Sequence, residues 1–97
     1  MIGRLQGRLE DHWQEGGRCG LLIVCGGVGY EVQVPRGWHE RLPIGAPATA
    51  LTLHVHHVIR EDASLLFGFE RKDERDLFRM LLGVSGVGPQ EIGRAHV

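Results

Sequence analysis

The chain has 97 residues, a formal charge of −1, 42% hydrophobic residues and 24% charged residues. Those values suit one modest core. They exclude a large enzyme, wholesale disorder and a polybasic protein that coats DNA through bulk counterion release. From the N-terminus, Met1–Leu9 sets Ile2, Leu5 and Leu9 in an imperfect strand pattern, with Gly3 and Gly7 marking bends. Glu10–Gly17 reads as a polar turn, and Leu21–Cys25 as a short buried strand. Gly26–Gly29 is a tight connection into Tyr30–Val34, which alternates strictly until Pro35 stops it. Arg36–Leu42 suits one helical turn carrying Trp38, and Pro43 and Pro47 frame the next loop. Ala48–Ile59 is the longest strand pattern, Arg60–Ala63 a charged turn, and Leu65–Phe69 a fifth strand.

Five short strands punctuated by glycine and proline predict a mainly β fold. A small closed barrel, SH3-like or OB-type, removes the edges that five separate strands would expose. The fifteen glycines, about twice ordinary usage and without a Gly-X-Y period, agree with many tight turns. At Glu70 the pattern changes. Glu70–Leu82 predicts an amphipathic helix, with Leu77, Phe78, Leu81 and Leu82 at helical spacing and acidic residues in the early turns.

Cys19 and Cys25 suit two reduced thiols at a buried strand and supply no disulfide framework or four-ligand zinc site. No secretory h-region and no apolar run of membrane-spanning length occurs, so a cytoplasmic protein without membrane contact is expected. There is no phosphate-binding loop of the G-x-x-x-x-G-K-[ST] type and no nucleophile constellation, so neither catalytic residues nor a cofactor is expected.

Three clusters carry chemistry. Gly86-Val87-Gly88-Pro89 follows a helix, with proline at the first position of a possible next one. Its glycines permit close backbone approach, and amides at a helix N-terminus form an anion site suited to a backbone phosphate. A plain turn between helices is the other reading. Glu61 and Asp62 stand side by side at a hairpin tip, as a solvated turn or as a repulsive element facing phosphates. An acid and base pair is disfavoured, because an exposed tip gives no burial to separate their pKa values. His54 and His56 share one strand face and His57 takes the other. Two imidazoles can share a metal, but no third ligand is evident, so no metal site is expected and a solvated or interface face is the alternative.

Taken together, these segments resemble the RuvA family, the DNA-binding subunit of the bacterial Holliday-junction branch-migration machine. The resemblance rests on Met1-Ile-Gly-Arg-Leu-x-Gly7, Gly26-Gly-Val-Gly-Tyr-Glu-Val32, Val58-Ile-Arg-Glu-Asp-Ala63, Leu66-Phe-Gly-Phe69, Glu74-Arg75 with Leu77-Phe78, and Gly86-Val-Gly-Pro89. It implies an OB-type barrel over residues 1–69 and, from residue 70, the start of a helix-hairpin-helix DNA-binding domain. Glu61 and Asp62 would be the acidic pin that keeps duplex arms apart at the centre of a homotetramer on four-way junction DNA. Gly86, Val87 and Gly88 would form a DNA-gripping hairpin. The function implied is a non-catalytic junction-recognising subunit in recombination and repair that supports ATP-driven branch migration by the RuvB motor.

The resemblance ends near residue 90, where the family continues with a second hairpin and a motor-docking domain. Residues 70–90 are therefore expected to be a truncated helix-hairpin-helix segment, with weak junction binding and no motor stimulation. Glu91–Val97 can be translated from the opening of a widely used short-read sequencing adapter, and is expected to be a non-native tail. The alternative function is an oligomerisation or partner-docking module with no DNA binding of its own.

Overall fold

Two antiparallel hairpins organise the chain. Strand β2 (Arg18–Cys25) pairs with β3 (Val28–Gln33) in continuous register from Gly20↔Gln33 to Cys25↔Val28. The turn between them, Gly26-Gly27, has φ values of 58° and 84°, a backbone that residues with a Cβ adopt only at a cost. Strand β4 (Thr49–Ile59) pairs with β5 (Ser64–Phe69) from His54↔Phe69 to Ile59↔Ser64. Strand β1 (Arg4–Glu15) joins the hairpins, pairing with β4 through residues 4–9 and with β2 through residues 8–15. A single parallel pair, Gln33↔Phe67, links β3 to β5. The order β1-β2-β3-β5-β4 therefore closes on itself as the expected five-stranded barrel of OB topology. This computed structural model describes residues 1–42 and 49–83.

The interior is built from alternate residues of each strand. Leu21, Ile23, Val32, Leu53 and Val55 are fully buried, and Leu5, Leu9, Cys19 and Val34 complete the cluster. Short helix α1 (Arg36–Arg41) adds Trp38 to this core. Gly68 points inward from β5, and a Cβ there would lie 2.6 Å from Val32 Cγ1 and 2.8 Å from Leu53 Cδ2. The barrel is packed to the point where one methyl group has no room. Both cysteines are free; the Cys19 thiol donates to the Val34 carbonyl at 3.3 Å, and burial pushes its pKa up.

One element differs from the sequence reading. Glu10–Glu15 is not a turn but the second half of β1, and the chain reverses only at Gly16 and Gly17. The register shifts between Leu9 and Asp11, where the strand leaves β4 and follows β2. Its polar residues look loop-like because this half of the strand is an arm with solvent on its outer side. Cross-strand pairing outweighs their weak strand propensity. Trp13 lies against Gly20, directly opposite, where no side chain competes for the space.

Helix α2 (Lys72–Leu82) starts two residues later than its amphipathic pattern suggests. The Glu74 carboxylate accepts the Arg71 backbone N–H at 3.1 Å, which fixes the helix start. The helix packs on the outer wall of β4 and β5, where Phe78 is fully buried among Phe67, Phe69 and His56 at ring distances of 5.5, 5.0 and 5.7 Å. Of the expected helix-hairpin-helix segment, only this first helix falls within the described residues. No helix among them is long and apolar enough to cross a membrane.

Candidate nucleic-acid interface

The pairing of β4 with β5 runs to the end of the hairpin. Ile59 is still in register with Ser64, and the Arg60 amide donates to the Ala63 carbonyl at 2.7 Å. Glu61 and Asp62 are left alone at the tip, both exposed. Among the described residues neither carboxylate enters an ion pair or a side-chain hydrogen bond. Ile59 is 60% exposed beside them, so the tip of the hairpin is open to solvent. Two unneutralised carboxylates on a stiff two-stranded arm can repel a phosphate backbone. They have no buried neighbour to make them an acid and base pair.

The outer face of β1, β2 and β3 is the surface on which OB barrels commonly carry oligonucleotides. Here it borders an open groove of about 520 Å³ whose charged lining is Asp11, Glu15, Glu31 and one cation, Arg18. That balance disfavours phosphodiester, so acidic groups dominate both this face and the hairpin tip.

The histidine cluster is structural. His57 Nδ1 accepts the Ile2 backbone N–H at 3.1 Å, and its Nε2 lies 2.7 Å from Ser64 Oγ, tying the N-terminal segment to the base of the acidic hairpin. His56 Nδ1 accepts from Arg79 Nε at 3.1 Å, while Arg79 Nη2 donates to the Val55 carbonyl at 3.1 Å. Burial holds the His56 pKa below its ordinary value, and the Arg79 guanidinium lowers it further. Among the described residues no group of three His, Cys, Asp or Glu side chains is placed to hold a metal.

Sequence reasoning missed the two arginines that dock α2. Arg75 Nη1 donates to the Gly3 carbonyl at 2.9 Å, and Val55 N–H donates to the same oxygen at 2.9 Å. Arg75 and Arg79 lie four apart and flank Phe78, so they share its helix face. That spacing was the available signal. Gly86, Val87 and Gly88, the expected phosphate hairpin, lie outside the described residues, as does Glu91–Val97.

A closed five-stranded barrel with a helix between its third and fourth strands and an acid-tipped β4–β5 hairpin defines an OB-fold module. Residues 1–68 match the family described as RuvA N terminal domain, and the chain belongs to that family. It is 51% identical over 90 residues to the Holliday junction branch migration complex subunit RuvA of Synechococcus sp. (strain CC9311), a match covering 93% of this chain and 40% of that relative. The subunit of the same name from Synechococcus sp. (strain WH7803) is 53% identical over 90 residues, with the same shares covered. That of Pseudomonas aeruginosa (strain LESB58) is 50% identical over 91 residues, 93% of this chain and 42% of the relative. The chain thus spans about two-fifths of the length of the curated relatives it matches. The family resemblance read from the motifs is borne out.

Proposed function

We propose that this chain supplies the barrel of a non-catalytic subunit that recognises four-way junction DNA and supports branch migration by a RuvB-type motor. The observation that carries this reading is the match, at about half identity along nearly the whole chain, to relatives named as that subunit. The acidic hairpin fits the role physically. In a homotetramer four such arms meet near the centre, and Glu61 and Asp62 keep the strands of different duplex arms apart by repelling their phosphates. Grip comes from elsewhere: from residue 70 the chain begins a helix-hairpin-helix domain, in which the Gly86 and Gly88 amides bind backbone phosphate and Val87 anchors the loop. Such binding follows junction shape rather than base sequence. The subunit works in the cytoplasm, in recombination and repair.

An assembly reading is favoured by one specific observation. Helix α2 leaves Leu77, Met80 and Leu81 exposed at 43%, 73% and 36%, an apolar stripe on the side away from the barrel. On that reading the barrel and α2 oligomerise or dock a partner and leave DNA contact to other regions.

One experiment separates the two. Residues 1–69 replace the corresponding barrel of the Synechococcus subunit, and the chimaera is titrated with four-way junction and with linear duplex in gel-shift assays. Junction-selective binding retained in the chimaera is the expected result. A folded, tetrameric chimaera that binds the junction no better than duplex would overturn the DNA-facing role in favour of assembly.

A further inference from the structure

We propose that His56 is an acid-sensitive latch that governs the docking of α2 on the barrel. The latch has three parts. Phe78 supplies the apolar contact, while Arg75 and Arg79 reach past it to the Gly3 and Val55 carbonyls. His56 lies between them at the centre of the contact, edge-on to Phe78, with Nδ1 receiving the Arg79 Nε–H. An imidazole nitrogen that accepts from a guanidinium must be unprotonated, so the docked helix selects neutral His56 with its proton on Nε2.

Protonation removes the hydrogen bond at the centre of this contact. A proton taken from water onto Nδ1 turns the acceptor into a donor, and Arg79 Nε–H loses its partner. The new cation then faces Arg79 and Arg75 from α2 and lies next to His57 on β4. From β5 it meets only Phe67, its cross-strand partner, and Phe69. The nearest carboxylate on the helix, Asp76, is already engaged by Lys72 at 2.9 Å and Arg75 at 3.2 Å. No group facing His56 compensates a positive charge, and burial disfavours that charge as well. The His56 pKa in the docked state therefore lies below the ordinary histidine value near 6.5. Docking is complete above that value and weakens as pH falls through it.

The consequence rests on the proposed function in one respect: α2 leads from the barrel into the segment proposed to grip phosphate. The latch therefore sets whether the acidic arm and that segment are held in fixed relation. The docking itself needs no DNA to be measured, so it stands or falls separately from junction binding.

The test is amide hydrogen exchange of the 97-residue chain, read by NMR between pH 7.5 and pH 5 and corrected for intrinsic exchange. Protection of Phe78–Leu82 should fall over this range, and by a larger factor than that of Leu21, Ile23 and Leu53 in the barrel. His56→Gln offers Arg79 a neutral acceptor at every pH, and its α2 protection should be flat. Arg79→Met provides a second arm: it removes the donor and one facing cation and should make the profile shallower, leaving the part due to burial, at lower protection throughout. A helix in His56→Gln that loosens in acid as the parent does would overturn the latch, as would a parent helix indifferent to pH. If His56→Gln does not fold, the Arg79→Met profile decides alone, because an unchanged acid dependence there contradicts the proposal.

Discussion

Replacing Phe78 with alanine tests whether α2 is part of the folded unit or an ornament on it. The ring is fully buried, with aromatic neighbours at 5.0, 5.5 and 5.7 Å. Removing a buried phenylalanine ring costs about 3–5 kcal/mol. The loss has a ceiling, however, because once α2 has left the barrel nothing further can be lost. Leu77, Met80 and Leu81 face solvent, so Phe78 and Leu82 carry most of the apolar docking contact. The upper part of that range therefore exceeds what the docking can supply. A loss of about 3 kcal/mol is expected, which at ~1–1.5 kcal/mol per molar lowers the urea midpoint by about 2–3 M. Trp13 and Trp38 report the barrel by fluorescence, and far-UV circular dichroism adds the helices. In the variant the helical signal should fall before tryptophan fluorescence changes. Coincident transitions shifted by less than about 0.5 M would refute the claim that Phe78 fixes the helix to the wall.

Two further changes probe the barrel itself. Gly68→Ala should destabilise by about 1–3 kcal/mol, since its methyl group would press on Val32 and Leu53 in a closed interior; thermal unfolding measures it, and an unchanged midpoint would show slack that the packing denies. His39 is buried with no partner for Nε2, and burial, with a smaller contribution from His12, lowers its pKa. Its unfolded form binds protons more readily than its folded form, so stability is full above about pH 6.5 and declines as pH falls through the folded value. His39→Leu should be within about 1 kcal/mol of the parent at neutral pH and should lose less stability by pH 5. A steeper acid loss in that variant would contradict the assignment.

The barrel was legible because its signals are local. Leu21–Cys25 is a continuous apolar run, Tyr30–Val34 alternates, and Gly26-Gly27 joins them with a turn that glycine suits. The outer half of β1 was not legible, because Glu10–Glu15 becomes a strand only by pairing with β2, and nothing in its own pattern announces that partner. The acidic tip was visible as Glu61-Asp62, and that neither carboxylate forms an ion pair among the described residues needed coordinates to show. The histidines gave no metal expectation, for want of a third ligand, but their contacts were hidden from the sequence. His56 and His57 accept hydrogen bonds from Arg79 and from the N-terminal backbone. Those contacts join residues 23 and 55 positions apart, a range at which spacing carries no information. Leu65–Phe69 read as a strand and is one, but its Phe67 and Phe69 belong to a second cluster outside the barrel, packed around Phe78 of α2.

On the proposed reading, Glu61 and Asp62 act on DNA by repulsion. The direct measurement is the junction dissociation constant of the barrel chimaera before and after Glu61→Gln and Asp62→Asn. Both side chains are exposed, so folding stability should change by less than about 0.5 kcal/mol. At ~8 Å from phosphate in water, each carboxylate costs about 0.5 kcal/mol, so the two on one arm correspond to roughly fivefold in affinity. Neutralisation in a tetramer with four arms should tighten junction binding by at least about that factor at low salt, with the gain shrinking as ionic strength rises. An unchanged or weaker affinity in a folded, tetrameric variant would contradict it.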